Sequence, residues 1–345
     1  MNRPLDVAII GSTGAVGQEF LRLFETRNFP VGSLKLFASA RSAGSHQAFH
    51  GNDIIVQDVS LSSLEGIDIA FFSAGSNRSR EFAPRATQSG AVVIDNSSAF
   101  RMDASVPLVV PEINLNAIPE GCRLIANPNC TAIILLMAVN PLRKLGRVER
   151  LIVSTYQSAS GGGASVMREL EDQTREYLAG RPVTPSVLPH PYAFNLFSHN
   201  TAVNELGYNE EEWKVIEESR KILGEPDLKI NITCVRVPVL RAHCESVTVE
   251  FAGPAPSEDE VREALQAAPG VRVIDDRAGN HFPMPVESSG QDDVLVGRIR
   301  RDLSNPNAIC MFISGDQLLK GAALNAVQIA EGLIAAGRFR EPSLA

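Results

Sequence analysis

Short apolar runs alternate with helix-like segments along the first third of the chain. Leu5–Ile10 is an apolar run with branched side chains that ends at Gly11, and residues 15–25 then carry apolar side chains at helical spacing. Strands that are apolar nearly throughout and separated by helices are typical of a parallel sheet covered on both faces. The pattern therefore predicts an α/β domain at the start of the chain. Its further strands are predicted at residues 33–38, 68–73, 91–95 and 123–126, with a second helix at 78–89.

The pattern changes beyond residue 150. A long apolar helix predicted at residues 131–145 is followed by runs in which apolar and polar residues alternate, as in strands with one covered face. We take this alternation to indicate antiparallel pairing. Ser257 and Glu260 form a capping-box pattern, which predicts that a helix starts there. The predicted strands are 150–156, 230–239, 246–251, 271–275, 294–299 and 308–314, and the further helices are 164–178, 208–223 and 317–336.

These patterns divide the chain into two domains. At 345 residues the chain is long enough for about two domains of ordinary size. We place the boundary near residue 130, at the junction after Ala126, so that residues 1–130 form the α/β domain and residues 131–316 form an α+β domain with a mostly antiparallel sheet. The last helix, within residues 317–345, is apolar on one face, and we expect it to pack back on the first domain.

Composition and charge narrow the class of protein. A hydrophobic content of 44% with 21% charged residues is that of a globular chain, and a net charge of −8 argues against a surface that coats nucleic acid. The five cysteines contain no CxxC pair, which argues against a disulfide framework or a zinc site. The longest apolar run, residues 131–139, is far shorter than the roughly 20 residues of a membrane span. We therefore expect a cytoplasmic protein with no metal and no nucleic-acid or membrane partner.

A glycine-rich turn follows the first predicted strand. Residues 11–17 read GSTGAVG and open the first helix, which is where a dinucleotide pyrophosphate meets backbone N–H groups in many α/β proteins. A strand–turn–helix without a ligand stays open as an alternative. The second strand is not followed by a carboxylate for the ribose hydroxyls, whereas Arg41 with nearby serines could hold a 2′-phosphate. NADP is therefore favoured over NAD, unless Arg41 is only a solvated loop residue.

Cys130 is the candidate nucleophile. It follows Asn127, Pro128 and Asn129 directly before the apolar helix, so it lies at or next to a helix N-terminus. The dipole and the free N–H groups of such a terminus stabilise a thiolate. A buried structural cysteine remains the alternative, and it is the interpretation we give to the other cysteines. These are Cys122, Cys234, Cys244 and Cys310.

Two further segments carry candidate chemistry. In CVRVPVLRAH, a regular strand would turn Arg236 and His243 to opposite faces, although Pro238 favours a bend that removes this argument. A nucleophilic thiol needs a base, and histidine titrates near neutral pH, but a surface or core histidine is the commoner case. Glu211 and Lys214 are i,i+3 neighbours on the predicted acidic helix, where a plain surface ion pair is the simpler interpretation.

Together the motifs resemble those of a known family. GSTGAVGQEFL, SSAFR, NPNC, YQSASGGG, EEWK, CVRVPVLRAH and GDQLLKGAA occur in this order from about residue 5 to 338. In this respect the chain resembles the aspartate-β-semialdehyde dehydrogenase family. The resemblance implies a Rossmann-type NADP-binding domain with an α+β catalytic and dimerisation domain, assembled as a homodimer or homotetramer.

The resemblance also implies a reaction and residue roles. The reaction is the reversible conversion of L-4-aspartyl phosphate and NADPH to L-aspartate 4-semialdehyde, inorganic phosphate and NADP⁺, which in cells leads to lysine through diaminopimelate, and to methionine, threonine and isoleucine. In this sequence Cys130 would be the nucleophile and His243 the general acid/base. The substrate would be held by Gln157, Arg236 and Glu211, and phosphate by Arg101, Lys214 and Asn129. The cofactor would be bound by Gly11, Thr13, Gly14, Ala15, Val16, Arg41, Ser42, Ser160, Gly161 and Gln317.

Two alternatives remain at this point. N-acetyl-γ-glutamyl-phosphate reductase uses the same cysteine chemistry on an acylated amine, which carries no positive charge and needs no acidic partner such as Glu211. A non-catalytic dinucleotide-binding protein on this fold could dispense with Cys130, Gln157, Arg236 and His243, which are all present.

Overall fold

The computed structural model describes residues 3–339, which form two compact units. One unit runs up to Asn129 and takes up the chain again from Ala322, and the other comprises Cys130–Gly321. The predicted domain ranges, 1–130, 131–316 and 317–345, stay predictions. Residues 1–2 and 340–345 of those ranges lie outside the described part of the chain.

The first unit is built on a mainly parallel sheet. Seven strands in residues 3–339 take the order β3-β4-β2-β1-β5-β6-β7, and only the hairpin of β3 and β4 is antiparallel. The order reverses beside β1, which is the switch point where open α/β sheets of the Rossmann type bind ligands. The strands are β1 Leu5–Ile10, β2 Val31–Ala38, β3 His46–Phe49, β4 Asn52–Asp58, β5 Ile69–Phe72, β6 Val92–Asp95 and β7 Leu124–Ala126.

The helices of the first unit cover strands that are buried on both sides. β1, β5 and β6 have almost no exposed residue, which explains their continuous apolar runs. The predicted helix at 317–336 is α-helical only from Leu324, because a π-helical turn, Leu319–Ala323, precedes it. That last helix packs on α1, where Arg27 and Glu331 form an ion pair of 2.7 Å. The helices are α1 Ala15–Thr26, α2 Ser76–Gln88, α3 Pro111–Asn114 and α9 Leu324–Ala335.

The second unit contains a mixed, mostly antiparallel sheet. Seven strands in the described chain take the order β12-β13-β14-β11-β8-β10-β9. The helices α4, α6 and α7 pack on this sheet, and α7 begins at the capping box of Ser257 and Glu260 that the sequence predicts. The strands are β8 Val148–Gln157, β9 Phe197–Ser198, β10 Lys229–Arg236, β11 His243–Phe251, β12 Val271–Val273, β13 Val294–Arg301 and β14 Ala308–Gly315. The helices are α4 Cys130–Leu142, α5 Ala164–Leu178, α6 Glu210–Leu223, α7 Glu258–Gln266 and α8 Pro285–Ser288.

Two strand pairs of this sheet differ from the prediction. β10 runs parallel to β8, and β12 runs parallel to β13, although their alternating sequences led us to expect antiparallel partners. The alternation in β10 has another cause, because α6 covers only one of its faces. A long connection containing α5 and α6 separates β8 from β10, as parallel pairing requires. Alternation thus reports a half-covered strand and not its direction.

No helix among residues 3–339 combines the length and the apolar character that crossing a bilayer requires.

Candidate active site

The glycine turn after β1 admits no larger side chains at two of its positions. Gly11 has φ +95°, and a Cβ atom there would lie 2.4 Å from the carbonyl oxygen of Ser73. A Cβ atom at Gly17 would lie 2.4 Å from the carbonyl oxygen of Gly11, so the helix approaches the turn closely. Gly14 is the N-cap of α1 and offers no side chain to its first N–H groups. Thr13 and Gly14 are exposed, and Ala15 and Val16 are half-buried, so this terminus is open to an anionic ligand.

A cavity of about 590 Å³ lies where β2 and β4 end. Its lining includes Ser39, Arg41 and Asp58, and also Arg78, which the sequence analysis did not single out. Hydrogen bonds from the Ser60 hydroxyl and backbone N–H lower the pKa of Asp58, and the charge of Arg78 adds to this. The carboxylate is thus already engaged. Two guanidinium groups and a hydroxyl fit the 2′-phosphate of NADP. Ser42, which follows Arg41 in an exposed turn, is itself half-buried.

Arg101 is a buried guanidinium held by main-chain carbonyls of the first unit. Its Nε donates to the carbonyl of Asn127 at 2.9 Å, and its Nη2 donates to the carbonyl of Asn96 at 2.8 Å. Asn129, two residues further along, is buried as well. These contacts fix the Arg101 side chain in one place.

Cys130 begins α4 in the second unit and is half-buried. Gly321, in the π-helical turn, packs directly against it, since a Cβ atom at Gly321 would lie 2.9 Å from the Cβ of Cys130. The same atom would lie 3.3 Å from the Cβ of Gln317. Gly321 therefore lies between Cys130 and Gln317 and packs against both. Sequence reasoning missed Gly321, because no local pattern links residues so far apart in the chain.

Three of the predicted side chains lie in one row across the sheet. Arg236 ends β10 directly beside Gln157, which ends β8. On the other side of β8, Tyr156 pairs with Cys244 of β11, so His243, the first residue of β11, lies next to this end of β8. Arg236 and His243 thus belong to two strands separated by β8, and both are buried. The parity argument for opposite faces does not apply, because the chain bends at Pro238 between β10 and β11 and no regular strand runs through both residues.

The acidic helix α6 contributes Glu211 to this row. Gln157 Nε2 donates to Glu211 Oε1 at 3.1 Å, and the Thr155 hydroxyl donates to Gln157 Oε1 at 3.0 Å. Glu211 is buried, whereas Lys214 is partly exposed with its Nζ 3.6 Å from Glu210. Glu211 and Lys214 therefore do not form a surface ion pair with each other.

Arg236 is surrounded by acceptors that sequence reasoning missed. Its Nη2 lies 2.9 Å from His199 Nε2, its Nε donates to Asn200 Oδ1 at 3.1 Å, and its Nη1 donates to the Ser158 carbonyl at 3.4 Å. Burial lowers the pKa of His199 to about 4, with Glu211 opposing and Arg236 adding to the shift. His199 is thus neutral and accepts from the guanidinium. His199 and Asn200 give no sequence signal, since both lie in an irregular loop next to the two-residue strand β9.

His243 is fully buried. Of the predicted cofactor residues, Gly161 lies against its ring, and Ser160 and Gln317 form hydrogen bonds with Ser158 and Ala242 beside it. A Cβ atom at Gly161 would lie 3.1 Å from both Cε1 and Nε2 of the ring. Gln317 accepts from the backbone N–H of Ala242 at 2.9 Å and donates to the Ser160 hydroxyl. Burial lowers the pKa of His243 to about 3, and the charge of Arg236 acts in the same direction. The ring is therefore neutral at physiological pH.

Two other cysteines are inert by burial. Desolvation is the largest cause that raises the pKa of Cys234, and it raises the pKa of Cys244 to about 11. Both thiols stay protonated at neutral pH.

Within residues 3–339, no group of three or more histidine, cysteine, aspartate or glutamate side chains is arranged to hold a metal ion.

Comparison with known proteins places the chain in one family. The NAD binding domain model of semialdehyde dehydrogenase matches residues 6–120, and the dimerisation domain model matches residues 139–320. Aspartate-semialdehyde dehydrogenase of Synechocystis sp. is 51% identical over 98% of this chain and 99% of its own length, and that of Bacillus subtilis is 44% identical over 96% and 98%.

Solved structures agree with these relatives. Aspartate semialdehyde dehydrogenase II of Vibrio cholerae, also solved in complex with ASA, superposes with a TM-score of 0.93 at 41% identity, over 96% of this chain and 99% of that one. The enzyme of Candida albicans, solved with NADP, shares the fold with a TM-score of 0.74 at 23% identity, over 96% and 99% of the chains. The protein described here belongs to the aspartate-semialdehyde dehydrogenase family.

Proposed function

We propose that this protein catalyses the NADPH-dependent reductive dephosphorylation of L-4-aspartyl phosphate to L-aspartate 4-semialdehyde, in the biosynthesis of lysine, methionine, threonine and isoleucine. Family membership supports the reaction. The observation that carries the residue roles is the row of Gln157, Arg236 and His243, with Glu211 bonded to it. The contact of Gly321 with Cys130 and Gln317 brings the thiol to the same end of that row.

Cys130 is the nucleophile in this proposal. Its thiolate attacks the carbonyl carbon of the acyl phosphate, the carbon–oxygen bond to phosphate breaks, and inorganic phosphate leaves behind a thioester. A bound dinucleotide supplies the hydride chemistry that reduces this thioester. His243 shares its proton with the oxygen of the tetrahedral intermediate, and takes that proton back as the C=O bond re-forms and Cys130 leaves as a thiolate. Gln157 orients the acyl group on the sulfur.

Arg236 and Glu211 hold the two charged groups of the amino-acid substrate. The Arg236 guanidinium offers bidentate donors to the α-carboxylate, and the buried Glu211 carboxylate accepts from the α-ammonium group. An N-acetylated substrate has no ammonium group, so a buried acidic partner supports the free amino acid. Arg101, Lys214 and Asn129 bind phosphate in this proposal.

NADP is the cofactor that we propose. The glycine turn residues Gly11 and Thr13 to Val16 receive the pyrophosphate at the start of α1, and Arg41, Ser42 and Arg78 hold the 2′-phosphate. Ser160, Gly161 and Gln317 complete the binding residues on the second unit.

A homodimer or homotetramer in the cytoplasm completes the proposal. The matching dimerisation domain model supports assembly through the second unit. Tyr156, which is 39% exposed and packs on Phe312, offers an aromatic contact on the sheet face away from His243. Aromatic side chains of this kind are enriched in subunit interfaces.

The reaction is tested by phosphate-dependent reduction of NADP⁺ with L-aspartate 4-semialdehyde and, separately, with the N-acetylglutamate analogue. We expect turnover with the first aldehyde only, and Cys130→Ala to lower kcat by at least about 10³-fold while NADPH still binds. Cys122→Ala, which removes a thiol from a loop of the first unit, is the matched control. Turnover with only the N-acetyl compound, or substantial activity of Cys130→Ala, would contradict the proposal.

A further inference from the structure

The Nδ1 atom of His243 faces two groups of the same residue. The backbone N–H of Ser158 donates to Nδ1 at 3.0 Å, and the Ser158 hydroxyl oxygen lies 3.0 Å from the same atom. A backbone N–H can only donate, so the atom it meets must be an acceptor. A proton on Nδ1 would point at the proton of that N–H.

The direction in which the Ser158 hydroxyl donates is set by Gln317, through the hydroxyl group of Ser160. The N–H of Ala242 donates to Gln317 at 2.9 Å, which places the amide oxygen of Gln317 on that side and its NH₂ group on the other. The NH₂ group donates to the Ser160 hydroxyl, whose own proton is left for the Ser158 hydroxyl at 3.1 Å. Ser158 therefore turns its proton to His243. Each donor in this series of hydrogen bonds is thus directed toward Nδ1.

Burial keeps this chain of hydrogen bonds intact. Ser158, Ser160, Gln317 and His243 are all at least 98% buried, so bulk water does not compete for their protons. The charged and titratable groups that act on His243 are Arg236, Glu211 and His199. Arg236 opposes a positive charge on the ring and Glu211 favours one, but the loss of hydration is the larger influence and leaves the ring neutral.

We propose that Ser158 is a positioning residue that holds neutral His243 in the tautomer with its proton on Nε2, and that Ser160 and Gln317 orient the Ser158 hydroxyl for this purpose. Nε2 is buried and has no hydrogen-bond partner among residues 3–339. The neutral ring therefore carries at Nε2 a donor that is unpaired within the described chain. This inference rests on the proposed role of His243 and specifies it.

The tautomer determines what the ring does during turnover. An N–H donor at Nε2 stabilises the negative charge that develops on the substrate oxygen while hydride adds to the thioester carbon. In the opposite tautomer Nε2 would carry a lone pair, which repels that charge. Preorganised donors of this kind contribute about 10²–10³-fold to kcat when measured by their removal.

The tautomer is measured by ¹⁵N NMR on the full-length protein labelled at its histidine side chains, without substrate, at pH 8. His243→Asn identifies the pair of signals that belongs to His243 among the six histidines. We expect the shift of an unprotonated nitrogen at Nδ1 and that of a protonated nitrogen at Nε2. The reverse assignment, or two protonated nitrogens, would overturn the proposal.

Gln317→Glu tests the relay, by which we mean the hydrogen bonds from Gln317 through Ser160 and Ser158 to His243. The substitution changes the far end of the relay with little change of side-chain shape. A carboxylate still accepts from Ala242 but cannot donate to Ser160, so both serine hydroxyls are free to turn toward residue 317. We expect the Nε2-protonated population of His243 to fall and kcat to drop by at least about 10-fold, with the semialdehyde KM nearly unchanged. An unchanged His243 spectrum would show that Gln317 does not orient the relay.

A matched pair of serine variants separates tautomer control from packing. Ser158→Ala removes the hydroxyl but keeps the backbone N–H, and we expect a broader His243 signal with Nε2 still mainly protonated. Ser154→Ala, at an exposed position of β8, which ends one residue before Ser158, is expected to leave the spectrum unchanged. If Ser158→Ala leaves the His243 signals identical to those of the parent protein, the hydroxyl has no positioning role. An inactive parent protein with the expected spectrum would contradict the proposed function and leave the tautomer standing.

Discussion

The two units of the protein build their candidate sites from different parts of the chain. In the first unit, one turn of seven residues brings backbone groups to the end of β1, and glycines provide the room. In the second unit, the site consists of buried side chains from separate strands and helices, with Gln157, Glu211 and His243 linked to their neighbours by hydrogen bonds. The first arrangement is open to a ligand along its backbone, and the second is a buried network in which the position of each side chain depends on several others.

Substitution of Gly321 is expected to have the largest effect, because it disturbs the crowded second unit at its nucleophile. A methyl group in Gly321→Ala would lie 2.9 Å from the Cβ and 3.3 Å from the Cα of Cys130. A displacement of about 1 Å in a reacting group can cost about 10²-fold in rate. We therefore expect kcat to fall by about 10²-fold while NADPH affinity changes by less than about threefold.

The matched control is Gly253→Ala, where an added methyl group would meet no atom within 4 Å. Its kcat should equal that of the parent protein. If Gly321→Ala also keeps full activity, Cys130 has freedom to move, and the contrast between an open and a crowded site is weaker than we infer.

The difference between the units also explains what the sequence could predict. The glycine turn is readable because its residues are neighbours in the chain, and its strand–turn–helix setting follows from local patterns. The hairpin of β3 and β4 was missed, since these short strands are mostly exposed and their longest apolar run, in β4, has only three residues.

The second site is less readable for a physical reason. Gln157, Arg236 and His243 meet only because β8 lies between β10 and β11 in a particular register, which no local pattern determines. Their selection came from the resemblance to a family, and the parity argument did not apply because the chain bends at Pro238 between β10 and β11. Sequence reasoning gave no role to His199, nor to Gly321 within the GDQLLKGAA motif, because each contacts residues that are distant in sequence.

A smaller effect is expected in the first unit, at the cavity lined by Arg41 and Arg78. Arg78→Ala removes one charged donor, and hydrogen bonds to charged groups are each worth about 1.5–3 kcal/mol. We expect NADPH to bind about 10-fold more weakly and NADH to change by less than twofold. Titration of protein fluorescence with each dinucleotide measures both constants without turnover.

Arg80→Ala is the control, since Arg80 is an exposed residue on the same helix. It should leave both affinities unchanged. Equal losses of NADPH and NADH affinity in Arg78→Ala would mean that the cavity holds a part common to both dinucleotides, and Arg41→Ala would then decide whether any 2′-phosphate site exists there.

The smallest effect on turnover is expected at Glu245, which tests whether the second unit is dry. This carboxyl group is fully buried, neither oxygen has a hydrogen-bond partner among residues 3–339, and desolvation raises its pKa well above the ordinary value of 4.5. Because the folded protein favours the neutral form, its stabilising contribution is complete below pH 4.5 and is lost as pH rises toward the folded pKa.

Glu245→Gln mimics the neutral form at every pH. The variant and the parent protein should therefore have the same free energy of unfolding near pH 4, and the variant should gain about 1.4 kcal/mol per pH unit above pH 4.5 until the folded pKa is reached. Urea unfolding across this range measures the difference. Glu250→Gln, on the same strand but 3.7 Å from Arg150 and partly exposed, should show no such gain. A pH-independent difference at Glu245 would mean that water or an unrecognised donor reaches the carboxylate, and the second unit would then resemble the open first one.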